Sequence, residues 1–470
     1  MTKATQDRAE ASPTKRFFVS MLTRDISLAD AILDLLDNCL DGALRLADGQ
    51  EVDYTKHFVK IELAADHFSI EDNCGGIPRE VAKNYAFKMG REPDDERDSD
   101  TETIGMYGVG MKRAIFKMGR EALVRTRFGD DTFEVPITSS WLDAKGWDPL
   151  PINEPTVSAE QLAEPGTTIN VKELYEGVAR HFGNGSFEND VRTAISEHFT
   201  MFLQQGLQVE LNGTPVVPVH VEVLVSNRDD GPAPFVFQKT IEGVLVSITV
   251  GLNTGRSLGT DDEDSGFERD RSSATAGWTV LCNDRAVIVG DKSRLTGWGD
   301  GIPLYHPQFS IITGIIEFRS KHADQLPVTT TKRALDTSSN VWLESLVKMK
   351  EGMRVWISYT NQWKNHPRSD QSSHWEDSRP LSLGKTIEAV FSRASTRTVG
   401  ASIEFNPQKA KVLPEPHDKV PSSRRIVFSR PNEEVQLVSK MLFDSDDEKP
   451  GVVGEKCFEL ALAKAKKEGA

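Results

Sequence analysis

The sequence predicts an α+β protein, and three features of its hydrophobic pattern support that fold class. Over residues 17–203, apolar residues at helical spacing alternate with short strand-like segments. Strand patterns dominate residues 207–336. After a Ser-Ser-Asn sequence suited to a helix N-cap, helical spacing returns over residues 341–363. We therefore expect an α/β domain, a mixed α/β domain after it, and a mostly helical C-terminal region.

These patterns also suggest where the domains begin and end. The predicted segments are a disordered leader at 1–15, a first domain at 16–203, a second domain at 204–336 and a helical C-terminal region at 337–470. Four prolines indicate a linker near 404–425. The Gly-, Asp- and Ser-rich stretch at 253–276 is expected to be an exposed loop.

Composition restricts the class of protein. The 470-residue chain is 38% hydrophobic and 27% charged, which suits soluble globular domains. No stretch approaches the ~20 apolar residues of a membrane span, and the N-terminus lacks the apolar core of a signal peptide, so we expect a cytoplasmic protein with no membrane partner. A net charge of −15 argues against a protein that binds DNA over its whole surface. The more basic segment after residue 364 still allows DNA as a partner. Four scattered cysteines without a Cys-x-x-Cys pair indicate neither a zinc site nor a disulfide framework.

The most informative segment is the predicted helix at 28–43. Asp34, Asn38 and Asp41 follow one another at i, i+4 and i+7, so they share one face. A row of carboxylate, amide and carboxylate repels itself unless a cation lies beside it. Mg²⁺ carried by a nucleotide is such a cation, because it prefers oxygen ligands.

Three glycine-containing segments follow this helix. Residues 70–78 are predicted to contain a strand that ends at Asp72 and a Gly-Gly turn that includes Gly76. The Asp72 carboxylate can accept a hydrogen bond from an exocyclic amine, and the turn lets a flat base approach the backbone. Residues 105–112, Gly-Met-Tyr-Gly-Val-Gly-Met-Lys, open a helix whose N–H groups suit an anion. The third segment is a Gly-Thr turn at Thr167 that enters a strand. Each motif alone is also typical of an ordinary turn.

In this order and at these separations, the four motifs resemble those of the GHKL ATPase superfamily, which includes gyrase B, the ninety-kilodalton heat-shock chaperone, histidine kinases and MutL. The resemblance is closest to the MutL and MORC-like branch, because residues 34–43 (Asp-Leu-Leu-Asp-Asn-Cys-Leu-Asp-Gly-Ala) follow its Glu-Leu-Ile/Val-Asp/Glu-Asn-Ser-x-Asp-Ala pattern. It covers roughly residues 17–336. It implies a Bergerat-type α/β sandwich for the nucleotide domain and a transducer domain over 204–336.

The resemblance also implies roles for residues. Asp34 and Lys332 are implied to be catalytic, Asp34 as the base for the attacking water and Lys332 as a contact to the γ-phosphate. Asn38 is implied to be a ligand of Mg²⁺. The implied ATP-binding residues are Asn38, Asp41, Asp72, Gly76, Gly105, Tyr107, Gly108, Val109, Gly110, Met111, Lys112 and Thr167. Residues 89–105 are implied to form a lid, and Cys-Asn-Asp-Arg at 282–285 resembles the Asn-x-Arg strand edge of MutL-type transducers.

Two positions depart from the family pattern. Asp34 stands where the family has glutamate, so its side chain is one bond shorter and its carboxylate lies closer to the helix. A misplacement of about 1 Å can reduce a reaction rate ~10²-fold. Cys74 replaces the first glycine of the Asp-x-Gly-x-Gly motif. We therefore expect ATP binding, with slow hydrolysis.

The expected function is an ATP-dependent homodimeric switch or clamp that couples nucleotide state to DNA or to a protein partner through the C-terminal region. The alternative is a protein-remodelling chaperone or a regulatory ATP sensor that binds no nucleic acid. A histidine kinase is disfavoured, because no helix with a phosphoacceptor histidine precedes the first motif.

Overall fold

A computed structural model gives the fold and describes residues 14–90, 102–105, 108–155, 162, 164–253, 276–329, 332, 334–364, 366, 371, 373–393, 396–416 and 428–468. Its internal contacts divide the chain into two units, Met1–Pro416 and His417–Ala470. The first unit contains two seven-stranded sheets with their helices. The second contains two helices in its described part.

The first sheet belongs to the first domain and includes two strands beyond residue 203, where that domain was predicted to end. Its strands are β1 (Phe58–Leu63), β2 (Phe68–Asp72), β3 (Gly119–Phe128), β4 (Asp131–Ile137), β5 (Gly166–Leu174), β6 (Gln208–Leu211) and β7 (Thr214–Pro215). They lie in the order β4-β3-β5-β2-β1-β6-β7, and each neighbouring pair is antiparallel except the parallel pair β1 and β6. The helices are α1 (Lys15–Arg24), α2 (Leu28–Leu46), α3 (Arg79–Val81), α4 (Gly110–Met118), α5 (Ser139–Asp143), α6 (Glu176–Phe182), α7 (Gly185–His198) and α8 (Thr200–Gln204).

Helix α2 carries the sequence motif that matters most. The hydroxyl of Ser27 accepts a hydrogen bond from the Asp30 N–H and caps the helix, as a serine at this position commonly does. The apolar face that follows is buried in the domain core, with Ile32 and Leu36 fully enclosed. Burial of this face fixes the rotation of the helix, so its polar residues point away from the core centre in a defined direction.

The second sheet is built from residues far apart in the chain. The strands of the second domain are β8 (Val223–Ser226), β9 (Phe235–Ile241), β10 (Val244–Leu252), β11 (Gly277–Cys282), β12 (Arg285–Asp291), β13 (Ile312–Arg319), β14 (Ser378–Leu381), β15 (Arg397–Val399) and β16 (Ser402–Phe405). The large sheet has the order β12-β11-β13-β10-β9-β16-β15, while β14 pairs with β8. Helices α9 (Asn340–Gln362) and α10 (Leu383–Phe391) complete the domain, and Trp342 and Trp356 of α9 are buried in its core.

Short turns of other helix types connect these elements. They are the 3₁₀ turns Tyr54–Lys56, Arg294–Thr296, Pro307–Phe309 and Ala323–Gln325 and the π turn Ala82–Ala86. The C-terminal unit contains α11 (Asn432–Phe443) and α12 (Pro450–Glu468). The Ser439 hydroxyl donates to the Ser445 carbonyl at 2.6 Å and closes the end of α11. No helix in the described part of the chain is long and apolar enough to cross a membrane.

The predicted mixed α and β fold is confirmed, and the structure refines several of its elements. The region after residue 337 contains strands as well as helices, since β15 and β16 extend the second sheet and the end of β16 overlaps the start of the stretch predicted as linker. Within the strand-rich stretch over residues 207–336, β11 and β12 form a hairpin whose turn residues, Asn283 and Asp284, both have positive φ (48° and 64°).

Three of the predicted segments, the leader, the lid and the loop at 253–276, lie at least partly outside the described residues. Of the leader predicted over residues 1–15, only the end is described, and Lys15 there is buried and begins α1. Most of the predicted lid, and the loop interior at 254–275, lie outside the described residues.

Candidate functional site

A cavity of about 450 Å³ lies in the first domain, next to α2 and the loop that leads into α4. Its volume is within the usual ~300–1,000 Å³ of small-molecule sites. Thirteen of the predicted site residues line it: Asp34, Asn38, Asp41, Asp72, Gly76, Gly105, Gly108, Val109, Gly110, Met111, Lys112, Thr167 and Lys332. Tyr107, the remaining predicted residue, lies outside the described residues.

Helix α2 presents three buried carboxylates and one exposed amide near this cavity. Asp34, Asp37 and Asp41 are 5%, 0% and 1% exposed, whereas Asn38 is exposed and lines the cavity. Buried carboxylates are stable only when they are paired or hydrogen-bonded. Each of the three has a different partner, and these partners define the polar end of the cavity.

Asp34 is paired with Arg113 of α4. The guanidinium Nη2 donates to the Oδ2 atom of Asp34, and the two side chains are 13% and 6% exposed. Burial raises the pKa of Asp34, and the nearby charges of Lys332 and Arg113 oppose that rise only in part. A carboxylate with a raised pKa is a stronger base than an exposed aspartate. The sequence motifs gave no indication of Arg113.

Asp37 connects the first domain to the second. Its Oδ1 atom accepts a hydrogen bond from Arg285 Nε at 2.6 Å, and its Oδ2 atom accepts one from Lys332 Nζ at 2.8 Å. Burial alone would raise the pKa of Asp37, but Arg285 and Lys332 outweigh it and hold the pKa below its usual value. Lys332, predicted to contact a phosphate, is therefore paired with an α2 carboxylate in this structure.

Asp41 holds the base of the predicted lid. Its two oxygens accept hydrogen bonds from the N–H groups of Ile104 (2.7 Å) and Gly105 (2.8 Å). A Cβ atom on Gly105 would lie 2.5 Å from Asp41 Oδ2, so this contact requires glycine. Asp41 was predicted to bind the cofactor, but its hydrogen bonds here go to the backbone of the chain.

The same lid residues contact the second domain. Asn283, in the turn between β11 and β12, donates to the carbonyl of Thr103 at 3.2 Å. Arg319 on β13 donates to Glu102 at 3.2 Å and to Asp284 at 2.6 Å. The turn that contributes Asn283 and Asp284 also precedes Arg285, the partner of Asp37. One hairpin turn therefore touches both the lid base and α2.

The opposite end of the cavity is formed by adjacent strands of the first sheet. Asp72 at the end of β2 is opposite Thr167 on β5 in the strand register. Its Oδ1 atom accepts from the Cys74 N–H at 2.8 Å, and its Oδ2 atom accepts from the Cys39 thiol at 3.4 Å. Burial raises the pKa of Asp72 to about 6, although these hydrogen bonds oppose the rise. Thr167 Oγ1 lies 3.2 Å from the hydroxyl of Thr126.

Gly76 is required for a reason other than the predicted one. Its φ is +72°, and a Cβ atom there would lie 2.0 Å from the carbonyl oxygen of Arg127. The close approach is therefore to the chain's own backbone, although Gly76 also lines the cavity. Gly166 is similar, since its Cβ would lie 1.9 Å from the Asp72 carbonyl oxygen. Cys74, which replaces a family glycine, is buried and lines the cavity.

The glycine loop before α4 is held by its own lysine. Gly108 has a φ of +63°, a conformation that glycine adopts readily. The Lys112 ammonium, predicted to add charge near phosphates, donates to the carbonyls of Gly108 and, at 2.8 Å, Ala86. Among the described residues no side chain caps α4, and the first N–H groups of a helix lack intrahelical partners. Such N–H groups suit an anion, and Gly110 and Met111 at the start of α4 line the cavity.

Residues 26–156 match a protein family described as histidine kinase-, DNA gyrase B-, and HSP90-like ATPase. The match supports a GHKL-type ATPase domain, a class that binds ATP, for this part of the chain. It does not distinguish the MutL and MORC-like branch from the others. No curated protein matches the chain.

Proposed function

We propose that the chain is a Mg·ATP-binding switch or clamp that hydrolyses ATP slowly, dimerises when ATP is bound, and couples its nucleotide state to DNA or a protein partner. The observation that carries the proposal is the cavity of the GHKL-type domain. A hydrogen-bond-accepting carboxylate, Asp72, lines one end of it, and Lys332 and the α4 N-terminus line the other. Adenine has an amine to donate, and phosphates need cations and N–H groups.

At the base end, the proposed role of Asp72 is to accept a hydrogen bond from the adenine amine. Cys74 N–H and the Cys39 thiol already fix the orientation of the carboxylate. Apolar side chains of Ile70 and Ile169 line the cavity beside it and suit the faces of a planar base. Thr167 is proposed to support this end through its hydroxyl.

At the phosphate end, Asn38 is the proposed Mg²⁺ ligand. No cluster of three or more His, Cys, Asp or Glu in the described residues could hold a metal by itself. Mg²⁺ in nucleotide sites keeps several waters and binds few protein oxygens, with phosphates as further ligands. The exposed amide of Asn38 fits that requirement, because Asp34 and Asp37 are already paired with cations. Mg²⁺, when bound, neutralises part of the phosphate charge.

Calorimetric titration of ATP in the presence of Mg²⁺ tests this assignment. Asn38→Ala should abolish measurable Mg·ATP binding. Asn340→Ala is the matched control, because Asn340 is exposed at the start of α9 and its side chain donates to Glu242 in the second domain. Unchanged affinity in Asn38→Ala would contradict the proposed site.

Hydrolysis is proposed to depend on Asp34 as the base. We expect Asp34→Ala to bind ATP and not to turn it over, as measured by phosphate release. Undiminished turnover in that variant would transfer the role to another group. Solution mass with and without ATP tests dimerisation, and Asp34→Asn should remain dimeric in ATP because it cannot complete the cycle.

Coupling is proposed to run through Lys332. In this structure its ammonium lies 2.8 Å from Asp37, and Arg285 also donates to its carbonyl at 3.4 Å. A γ-phosphate would compete with Asp37 for the ammonium and so change the contact between the domains. Lys332→Met should bind ATP yet dimerise poorly, whereas dimerisation equal to wild type would contradict this role.

The partner is the least constrained part of the proposal. DNA binding at several salt concentrations, with and without a non-hydrolysable ATP analogue, separates a DNA clamp from a regulator that binds no nucleic acid, because phosphate contacts make DNA affinity salt-dependent. The net charge of −15 favours the second candidate, a chaperone-like or regulatory ATP sensor. Absence of DNA binding in both nucleotide states would select that candidate.

A further inference from the structure

Arg113 lies in the cavity although no sequence motif singles it out. It is on the first turn of α4, immediately after the glycine loop, and its Nη2 atom donates to Asp34 Oδ2. Its Nε atom is buried and has no hydrogen-bond partner within the described part of the chain. Hydrogen bonds between charged groups are stronger than neutral ones. The Asp34 carboxylate is therefore bonded through one oxygen to an arginine that follows the glycine loop in the chain.

The loop also lies directly against Asp34. A Cβ atom placed on Gly110 would be 3.6 Å from the Cβ of Asp34 and 3.7 Å from its Cγ. The Oδ1 atom of Asp34 makes no hydrogen bond with the residues that the structure describes, in contrast to Oδ2. Oδ2 is thus fixed by Arg113 and is also the Asp34 oxygen nearest Gly110, at 3.7 Å from the added Cβ, whereas Oδ1 remains available to a further donor.

We infer that Arg113 is a positioning residue for ATP hydrolysis, which holds the short Asp34 carboxylate through Oδ2 so that Oδ1 faces the attacking water. This inference rests on the proposed function. In the step it serves, the water oxygen bonds to the γ-phosphorus, and the bond from that phosphorus to the β–γ bridging oxygen breaks. The electron pair leaves with ADP, and the proton of the water passes to Asp34.

The chemistry explains why such a residue is useful here. An aspartate has one methylene fewer than the glutamate found in the family pattern, so its carboxylate extends less far from α2. A small error in the position of a reacting group can reduce a rate ~10²-fold. The planar guanidinium restricts the carboxylate to one orientation, which a point charge such as lysine does less well.

The first test compares kcat with ATP affinity. Arg113→Gln should reduce kcat by roughly 10- to 100-fold and leave the affinity for ATP near the wild-type value. Arg113→Lys should be intermediate, since it keeps the charge and loses the planar geometry of the guanidinium. The matched control is Arg120→Gln, which removes an exposed pair with Asp143 (41% and 69% exposed) on the same domain and should leave kcat unchanged. Chemical denaturation of each variant checks that it is folded.

The second test uses the length of the acid. If Arg113 compensates for the short side chain, Arg113→Gln should reduce kcat less in an Asp34→Glu background than in the wild type. A purely structural role would give the same loss in both backgrounds, and that result would overturn the inference. Weakened ATP binding with kcat retained would also overturn it, because Arg113 would then be a phosphate ligand.

The outcomes also separate this inference from the proposed function. A wild-type protein that binds no ATP would contradict the proposed function itself. A wild-type protein that binds and hydrolyses ATP, together with an Arg113→Gln variant of unchanged kcat, would contradict only the role of Arg113.

Discussion

The two ends of the cavity are held by different kinds of interaction. At the base end, Asp72 and Thr167 lie on neighbouring strands, and their contacts are hydrogen bonds and close backbone approaches within one sheet. At the phosphate end, Asp34 and Asp37 are held by ion pairs whose partners are 79, 248 and 295 residues away in the chain. The base end therefore lies within the first domain, whereas Asp37 at the phosphate end is held by Arg285 and Lys332 from outside that domain.

This difference suits the two jobs that the proposed function requires. Recognition of a base needs a fixed shape, and a sheet supplies one. Coupling needs contacts that a new charge can exchange, and ion pairs between domains are of that kind, because γ-phosphate and Asp37 compete for the same lysine. The predictions below test whether the two ends respond differently to substitution.

The largest effect is expected from the interdomain pair. Asp37 is 0% exposed and Arg285 is 3% exposed in the pair they form. Asp37→Ala should lower the free energy of unfolding by about 3–5 kcal/mol, because it leaves buried cations without a counterion. Urea denaturation measures this. The control is Glu176→Ala, which removes a pair that is 77% and 81% exposed and should cost only ~0–1 kcal/mol.

The pKa of Asp37 adds a pH dependence to that prediction. Because its folded-state pKa is below the unfolded value, the pair contributes stability that is fully present above the unfolded pKa and is lost as pH falls through the folded pKa. The difference between wild type and Asp37→Ala should therefore shrink in acid. Equal differences at neutral and strongly acidic pH would contradict the assignment of the ion pair.

The stability of the base end should depend on the absence of a side chain at Gly76. Gly76→Ala places a Cβ 2.0 Å from a carbonyl oxygen at a φ of +72°. We expect overpacking of about 1–3 kcal/mol in addition to about 1–2 kcal/mol for the left-handed conformation. Gly49→Ala is the matched control, because its φ is +81° and nothing lies within 4 Å of the new Cβ. Equal destabilisation of the two variants would show that the close approach is unimportant.

ATP binding at the base end should also depend on pH, in a range set by the pKa of Asp72. The pKa of Asp72 is about 6 because burial disfavours its charged form. Hydrogen bonding to the adenine amine favours that charged form, so binding lowers the pKa, and ATP affinity should fall up to about tenfold per pH unit below 6. Asp72→Asn removes this titration, because an amide oxygen accepts the hydrogen bond at every pH. Calorimetry between pH 5 and 7.5 compares the two, and a pH-dependent loss that persists unchanged in Asp72→Asn would contradict the role of Asp72.

The sequence predicted the local parts of this site better than the long-range ones. Asp34, Asn38 and Asp41 were found because they repeat on one helix face, and Asp72 because it ends a strand before a glycine turn. The partners of these carboxylates were harder to predict. Arg113 is one of many helix-surface arginines in the sequence, and its pairing with Asp34 depends on how α4 packs against α2.

The same limit applies to the reasons for the glycines and to the second sheet. The sequence shows that Gly76 follows Asp72, but the carbonyl that excludes a side chain there belongs to Arg127 on another strand. β15 and β16 were missed because short strands between prolines and polar residues resemble a linker. β15 pairs with β16, and β16 pairs with β9 through residues more than 160 positions earlier in the chain, such as Val236 opposite Phe405. No local pattern records such a partner.

The smallest expected effect comes from Cys39, whose thiol donates to Asp72 Oδ2 at 3.4 Å. Cys39→Ala removes one weak donor, worth ~0.5–1.5 kcal/mol as a net hydrogen bond, and should raise the pKa of Asp72 further. ATP affinity at pH 7 should therefore fall only a few-fold, and the pH at which it weakens should move upward. Cys282→Ala is the control, since this thiol is equally buried but belongs to the second domain's core. An unchanged pH profile of ATP binding in Cys39→Ala would contradict the role of this thiol and would leave the backbone N–H groups of Cys74 and Thr167 as the groups that hold the Asp72 carboxylate at the base end.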